Sequence, residues 1–225
     1  MRWYNTLIVS IVSAIFSLQS YAANPTASVL AVEYPPFTTN SEINEGIAFA
    51  VLRDRTRQSS INWVAEFVPP ARAHKRIQQG DWCASFYPAF GDNKYTSLAL
   101  TSDPIKIGLI RKTQRIPFSW ADLEAFSGNS IALLRSGQDS VFVKQFEDAG
   151  MQVIFVENID AAAKMVLLDR ADFAMMDNVT YANLDKDIAT QLQFSKNILI
   201  STPITLFVHV SCYRVLKQAF PQLGR

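Results

Sequence analysis

Short apolar runs that alternate with segments of helical spacing recur along nearly the whole chain, and this alternation limits the possible folds more than any other feature. Ala27 to Glu33 reads as a strand, Gly46 to Arg57 as a helix, and "INWVAEFV" as a second strand in which Ile61, Trp63, Ala65 and Phe67 share one face. A helix from Ala71 to Gln79 follows Pro69-Pro70 and is closed by Gly80, and Trp82 to Tyr87 reads as a third strand before the turn-rich loop "PAFGDNKYTS". The β-α-β-α-β order predicts a sheet with helical crossovers.

An extended segment, "SDPIKIGLIRKT", leads to a second round of alternation. It comprises a helix from Ser119 to Ala125, a strand Ser130 to Leu134, a helix Gln138 to Ala149, a strand Gln152 to Val156, a helix Ile159 to Asp169 and a strand Asp172 to Met176. "FSKNILISTPITLFVHVS" then supplies two extended pieces split by Thr202-Pro203, and a short helical piece ends the chain. The prediction is an α/β chain of two lobes. Residues 23–110 with 197–225 form the first and 111–196 the second, and the two crossings make a two-strand hinge around a cleft.

The first 22 residues read as a secretory signal peptide. Arg2 is the one charge ahead of an apolar run of about a dozen residues, too short for the roughly 20 that a spanning helix needs, and Ser20-Tyr21-Ala22 offers a small-x-small cleavage pattern. The chain has 21 basic and 20 acidic side chains, so losing Arg2 leaves an even balance. That balance argues against a nucleic-acid or polyanion surface. An exported chain permits a disulfide between Cys83 and Cys212, but both lie in or beside apolar strand-like runs, which favours two buried free thiols.

Enzyme motifs are lacking. His74 and His209 stand far apart without a spaced set of metal ligands, and neither a G-x-S-x-G elbow, a P-loop nor a dinucleotide fingerprint occurs. The expectation is therefore a binding protein with no cofactor and no metal.

Several stretches in order resemble the extracytoplasmic solute-binding proteins of family 3, the group of periplasmic receptors for polar amino acids. They are "VLAVEYPPFT" with "EGIAFAVL", "PPARAHKRIQQGDW", "TSDPI", "LLRSGQDS" and "LLDRADFAMMDN". The resemblance spans the chain after residue 22 and implies the two-lobed periplasmic binding protein fold. It implies a monomer in the periplasm that captures a small polar ligand for uptake by a membrane permease, or signals to a membrane sensor. Some relatives of the fold are dehydratases or transglycosylases, and for these Glu33 is the candidate general acid.

The resemblance also implies site residues. Tyr34 or Phe37, on a loop stiffened by Pro35-Pro36, packs on the ligand, while either ring equally suits a packed corner. Ser136-Gly137 and Gln138 open a helix whose backbone N–H groups attract an anion, or simply cap it, with Arg135 on the same rim. Asp177 meets a ligand amino group at the end of a strand, or caps the helix in "NVTYANL". Arg72, Tyr87, Glu33 and Trp82 are further candidates for the cleft.

One departure stands out. The amino-acid receptors carry an arginine about seven or eight residues before the Ser-Asp or Thr-Asp of the first crossing, where this chain has Lys94, a point charge without the planar fork. The family continues beyond the position at which this sequence reaches Gly224-Arg225, and a truncated terminal helix would take part of the cover from the first lobe.

Overall fold

In the computed structural model, residues 24–91, 94–136 and 140–223 are described. The signal-peptide segment, Gly137 and Gln138 lie outside these residues.

The first round of alternation folds as predicted into parallel strands with helical crossovers. Strand β1 (Thr26–Ala31) pairs in parallel with β2 (Asn62–Phe67) and β3 (Ala84–Ser85), and helices α1 (Ile47–Arg55) and α2 (Pro70–Gln79) make the connections. Pro70 stands in the first turn of α2, where its missing N–H costs nothing, and Gly80 ends the helix in the left-handed conformation at φ 72°. Phe49 and Leu52 of α1 are fully buried against Val29, Trp63 and Leu206, each contributing about 1.5–3 kcal/mol of burial.

A strand hidden from sequence reading completes this sheet. β4 (Tyr95–Ala99) lies within and beyond the loop expected at 88–97, and its "YTSLA" buries only Leu98 because it is an edge strand. With β11 (Thr205–His209), antiparallel to both neighbours, the order is β2-β1-β3-β11-β4. β3 is shorter than the predicted Trp82 to Tyr87, spanning two residues.

The second sheet has the order β10-β5-β8-β6-β7. It is formed by β5 (Ile105–Lys112), β6 (Ser130–Leu134), β7 (Gln152–Val156), β8 (Phe173–Asp177) and β10 (Ile200–Thr202), with the short β9 (Leu192–Phe194) on β5. Helices α3 (Val141–Asp148) and α4 (Ile159–Leu167) pack on it, and the short α5 (Asn178–Ala182) and α6 (Lys186–Ala189) follow β8. The helix expected from Ser119 to Ala125 is a single 3-10 turn, Leu123–Phe126, capped by Asp122.

Ile107 and Ile110, assigned from sequence to the first lobe, pair with Asp177 and Ala174 in the second sheet. The chain therefore changes sheet at residues 100–104 and 203–204, and the two crossings are bonded side by side by Leu100 N to Ile204 O and Ile204 N to Thr101 Oγ1.

Cys83 and Cys212 form a disulfide, with Cα atoms 5.5 Å apart, and not the expected pair of free thiols. The cause is tertiary. Antiparallel β11 brings His209 N to 2.9 Å from Cys83 O, and the turn that follows carries Cys212 to its partner. Beyond the bridge, α7 (Tyr213–Leu216) and the residues after it bury Leu216, Phe220 and Leu223 in the first core, where Phe220 meets Trp63.

Candidate functional site

The carboxyl ends of β1 and β8 face each other, and each delivers one candidate residue. Past β1, the chain makes a tight turn at Tyr34–Thr38. Tyr34 N donates to Thr38 O, and Phe37 N and Thr38 N both donate to Tyr34 O. Glu33 ties the loop from within, accepting the Thr39 hydroxyl on one oxygen and Asn40 N at 3.0 Å on the other. Both oxygens of the candidate general acid are thus engaged in holding the loop.

The loop is also welded to α1, whose first N–H groups, of Ile47 and Ala48, donate to Pro36 O and Phe37 O. Gly46 allows the approach: its φ is 92°, and a Cβ there would stand 2.5 Å from Phe37 O. These bonds hold the loop in addition to the prolines.

The two rings of the loop part company. Phe37 packs against the core of the first sheet, whereas Tyr34 touches two clusters at once. One contains Leu30, Val32, Ile77 and Tyr87 of the first lobe, the other Ile110, Val156 and Met176 of the second. Leu134, at the end of β6, reaches the same first-lobe cluster.

Asp177 ends β8 and caps α5, so the capping role weighed from sequence is present. It is 1% exposed. Its Oδ1 accepts from Val179 N and Thr180 N, both at 2.8 Å, and its Oδ2 accepts the Tyr34 hydroxyl at 2.8 Å. Among the described residues no cation pairs with it. A buried carboxylate is tolerated because three donors satisfy it.

Burial, then the negative charge of Asp177 and the hydrogen bond to it, hold the Tyr34 phenol well above its ordinary titration range. Tyr34 is therefore the donor at any neutral pH. Sequence reasoning missed Thr180, whose hydroxyl donates to Pro35 O at 3.3 Å across the same boundary. A threonine in a short helix carries no local signal of such a contact.

The remaining candidates divide. Tyr87 is buried beside Tyr34 in the first-lobe cluster, and its carbonyl accepts from the Ser85 hydroxyl. Arg72 is exposed in the first turn of α2, at the end of the sheet from which the Tyr34 loop emerges. Ser136 follows β6, on the side of the second sheet where β8 delivers Asp177. Arg135 is turned away to an ion pair with Glu157 and a contact over Phe155.

Lys94 is not brought to this region. It precedes β4, where Tyr95 pairs with His209 and Lys94 O accepts from Val210 N, at the opposite end of the first sheet from Tyr34. Trp82 belongs to that far end as well, with its ring 5.2 Å from His209 and 6.4 Å from Tyr95. A groove of ≈ 480 Å³ lined by Trp120, Asp122, Glu124, Asp148 and Asn197 lies on the second lobe where α3 ends, away from Asp177. No described helix is long and apolar enough to cross a membrane.

No family model and no curated protein matches the sequence. Solved structures match the fold. An arginine 3rd transport system periplasmic binding protein from Legionella pneumophila is similar with a TM-score of 0.65 and 15% identity, over 88% of this chain and 92% of that one. The GluR0 ligand-binding core from Nostoc punctiforme, in complex with L-glutamate, gives 0.61 and 13%, over 88% and 92%. The Bordetella pertussis BvgS periplasmic VFT2 domain gives 0.61 and 15%, over 89% of each chain. These neighbours are named for ligands, binding or a periplasmic domain, and none for a reaction. The chain has the two-lobed periplasmic binding protein fold.

Proposed function

We propose that this protein is a periplasmic solute-binding protein that captures a small polar, amine-bearing ligand, an amino acid or related compound, between its lobes for ABC-type uptake. The observation that carries this reading is Asp177, a buried carboxylate at the carboxyl end of a strand, aimed at the opposite lobe and met there, among the described residues, by a neutral hydroxyl. A ligand ammonium adds Coulombic attraction that a phenol lacks, and that attraction is strong in a water-poor cleft. Arg72, exposed at the first-lobe rim, is the cation for a ligand carboxylate, and Tyr87, Ser136, Gly137 and Gln138 complete the proposed lining.

The lobes on this reading are the two sheets with their helices, and the paired crossings at 100–104 and 203–204 are the two-strand hinge about which they close. A membrane permease is the partner this role calls for. A neighbouring permease gene supports uptake, and an adjacent sensor gene supports signalling instead.

The test is a thermal-shift screen of residues 23–225 against amino acids, polyamines, small carboxylates and muropeptide fragments. A ligand that binds the native state alone raises the melting temperature, so amine-bearing compounds should shift it by several degrees. A melt unmoved by any class, or moved only by compounds without an amine, removes the reading.

A further inference from the structure

Three contacts join the lobes around one side chain. The Tyr34 hydroxyl donates to Asp177 Oδ2 at 2.8 Å, Thr180 Oγ1 donates to Pro35 O at 3.3 Å, and the Tyr34 ring packs into the buried clusters of both lobes. Leu134 of the second lobe adds its side chain to the first-lobe cluster. The three contacts come from different atoms, and all run from one lobe to the other.

We propose that Tyr34 is an interlobe latch: by donating its hydroxyl to Asp177 it holds the ligand-free protein closed, and it must be displaced before a ligand group can reach that carboxylate. This rests on the reading of the two sheets as closing lobes. The latch suits its position because the turn that carries it is held by Glu33 and by the first N–H groups of α1, so closing orders little additional chain. The Asp177 end is equally fixed, since its other oxygen is held by Val179 N and Thr180 N.

The latch also filters ligands. A neutral hydroxyl on a ligand merely exchanges with the Tyr34 hydroxyl, whereas a cationic nitrogen gains charge pairing with the buried carboxylate. On this proposal closure precedes binding, a ligand shifts a pre-existing population, and opening becomes the step that admits it.

The test measures a distance across the lobes without ligand. Spin labels at Lys75→Cys on α2 and Lys144→Cys on α3, both exposed positions away from the Tyr34–Asp177 contact, report lobe separation by double electron–electron resonance. The protein is first unfolded in guanidinium and refolded to strip carried-over ligand, with its native disulfide intact. The expected result is one short-distance population in the otherwise native chain, and a shift to longer distances in Tyr34→Phe and further in Tyr34→Phe with Thr180→Val. Equal distributions in the native chain and both variants overturn the latch, as does a native chain already open. A ligand screen without a hit leaves these distances standing, so failure of the proposed function and failure of the latch are told apart.

Discussion

The hydroxyl of Tyr34 and the carboxylate of Asp177, 143 residues apart in sequence, meet at 2.8 Å where the two lobes face each other. Neither side chain would be stable there alone. Without Tyr34 the buried Oδ2 loses its one donor from the opposite lobe, and without Asp177 the phenol loses the acceptor that orients it.

The pair predicts an alkaline transition. The Tyr34 phenol is held above its ordinary range in the folded state, so the folded chain favours its protonated form. The resulting stabilisation is complete below the ordinary tyrosine range near about 10 and is lost as pH rises toward the raised value. Tyr34→Phe should cost about 1.5–3 kcal/mol at pH 8, the worth of a hydrogen bond to a charged group. The gap between variant and native chain should narrow above about pH 10. Denaturant titrations of both chains from pH 8 to 11 measure the gap directly, and a pH-independent gap contradicts the assignment.

Two substitutions at Asp177 separate its roles. Asp177→Ala removes the cap of α5 and should destabilise the protein by at least about 0.5–2 kcal/mol, while Asp177→Asn keeps an oxygen for Val179 N and Thr180 N and should cost less. Both remove the charge, so both should weaken an amine-bearing ligand by about 1 kcal/mol or more in calorimetry. Unchanged affinity in Asp177→Asn would remove the residue from the ligand site.

Replacing Arg72 by Ala tests the rim. The side chain is exposed, so stability should change by no more than about 0.5 kcal/mol. Affinity for a carboxylate-bearing ligand found in the screen should fall several-fold, with binding of polyamines unaffected. Equal losses for both ligand classes would point to a disturbed helix start.

The disulfide should account for much of the hold on the C-terminal segment. Cys83→Ser with Cys212→Ser, whose bridge spans 129 residues, should lower stability by about 2–4 kcal/mol. Trypsin sensitivity should rise around Arg214 and Lys217, because Leu216, Phe220 and Leu223 lose their tether to the first core. A thiol assay on the unfolded, unreduced chain should find no free thiol.

Gly46→Ala should be among the costliest single substitutions in the first lobe. It places a methyl group 2.5 Å from Phe37 O at a φ of 92°, and the loop that carries Tyr34 must move away from α1. The expected loss is roughly 2 kcal/mol or more, and the Tyr34–Asp177 bond should weaken with it. A variant as stable as the native chain would show that the loop can shift freely.

Much of the architecture is written in local patterns. Alternation at Ile61, Trp63, Ala65 and Phe67 set a strand, Gly80 closed a helix, and the runs 130–134 and 152–156 became β6 and β7 without a change of boundary. Alternation suffices for β2, where Trp63 is buried and its neighbours Asn62 and Val64 are exposed, and a short apolar run suffices for the central β6, whose Ile131 and Leu133 pack in one cluster and Ala132 in another. The sequence by itself also put Tyr34, as an alternative to Phe37, and Asp177 among its candidates, since a rigid aromatic loop and an acid at a strand end are local features.

Tertiary structure decided the rest. β4 went unseen because an edge strand needs little apolar alternation, and the crossing read at 110 lies near residue 103 because β5 reads as extended whichever sheet it joins. The Cys83–Cys212 bridge depended on the antiparallel placement of β11 beside β3, which no spacing reveals. Lys94 lies at the end of its sheet opposite Tyr34, which no spacing reveals either: sequence distance does not say toward which end a strand runs. The Tyr34–Asp177 contact belongs to neither lobe alone. Its geometry exists only when two independently patterned sheets are brought face to face, and that placement is set by long-range packing rather than by any local propensity.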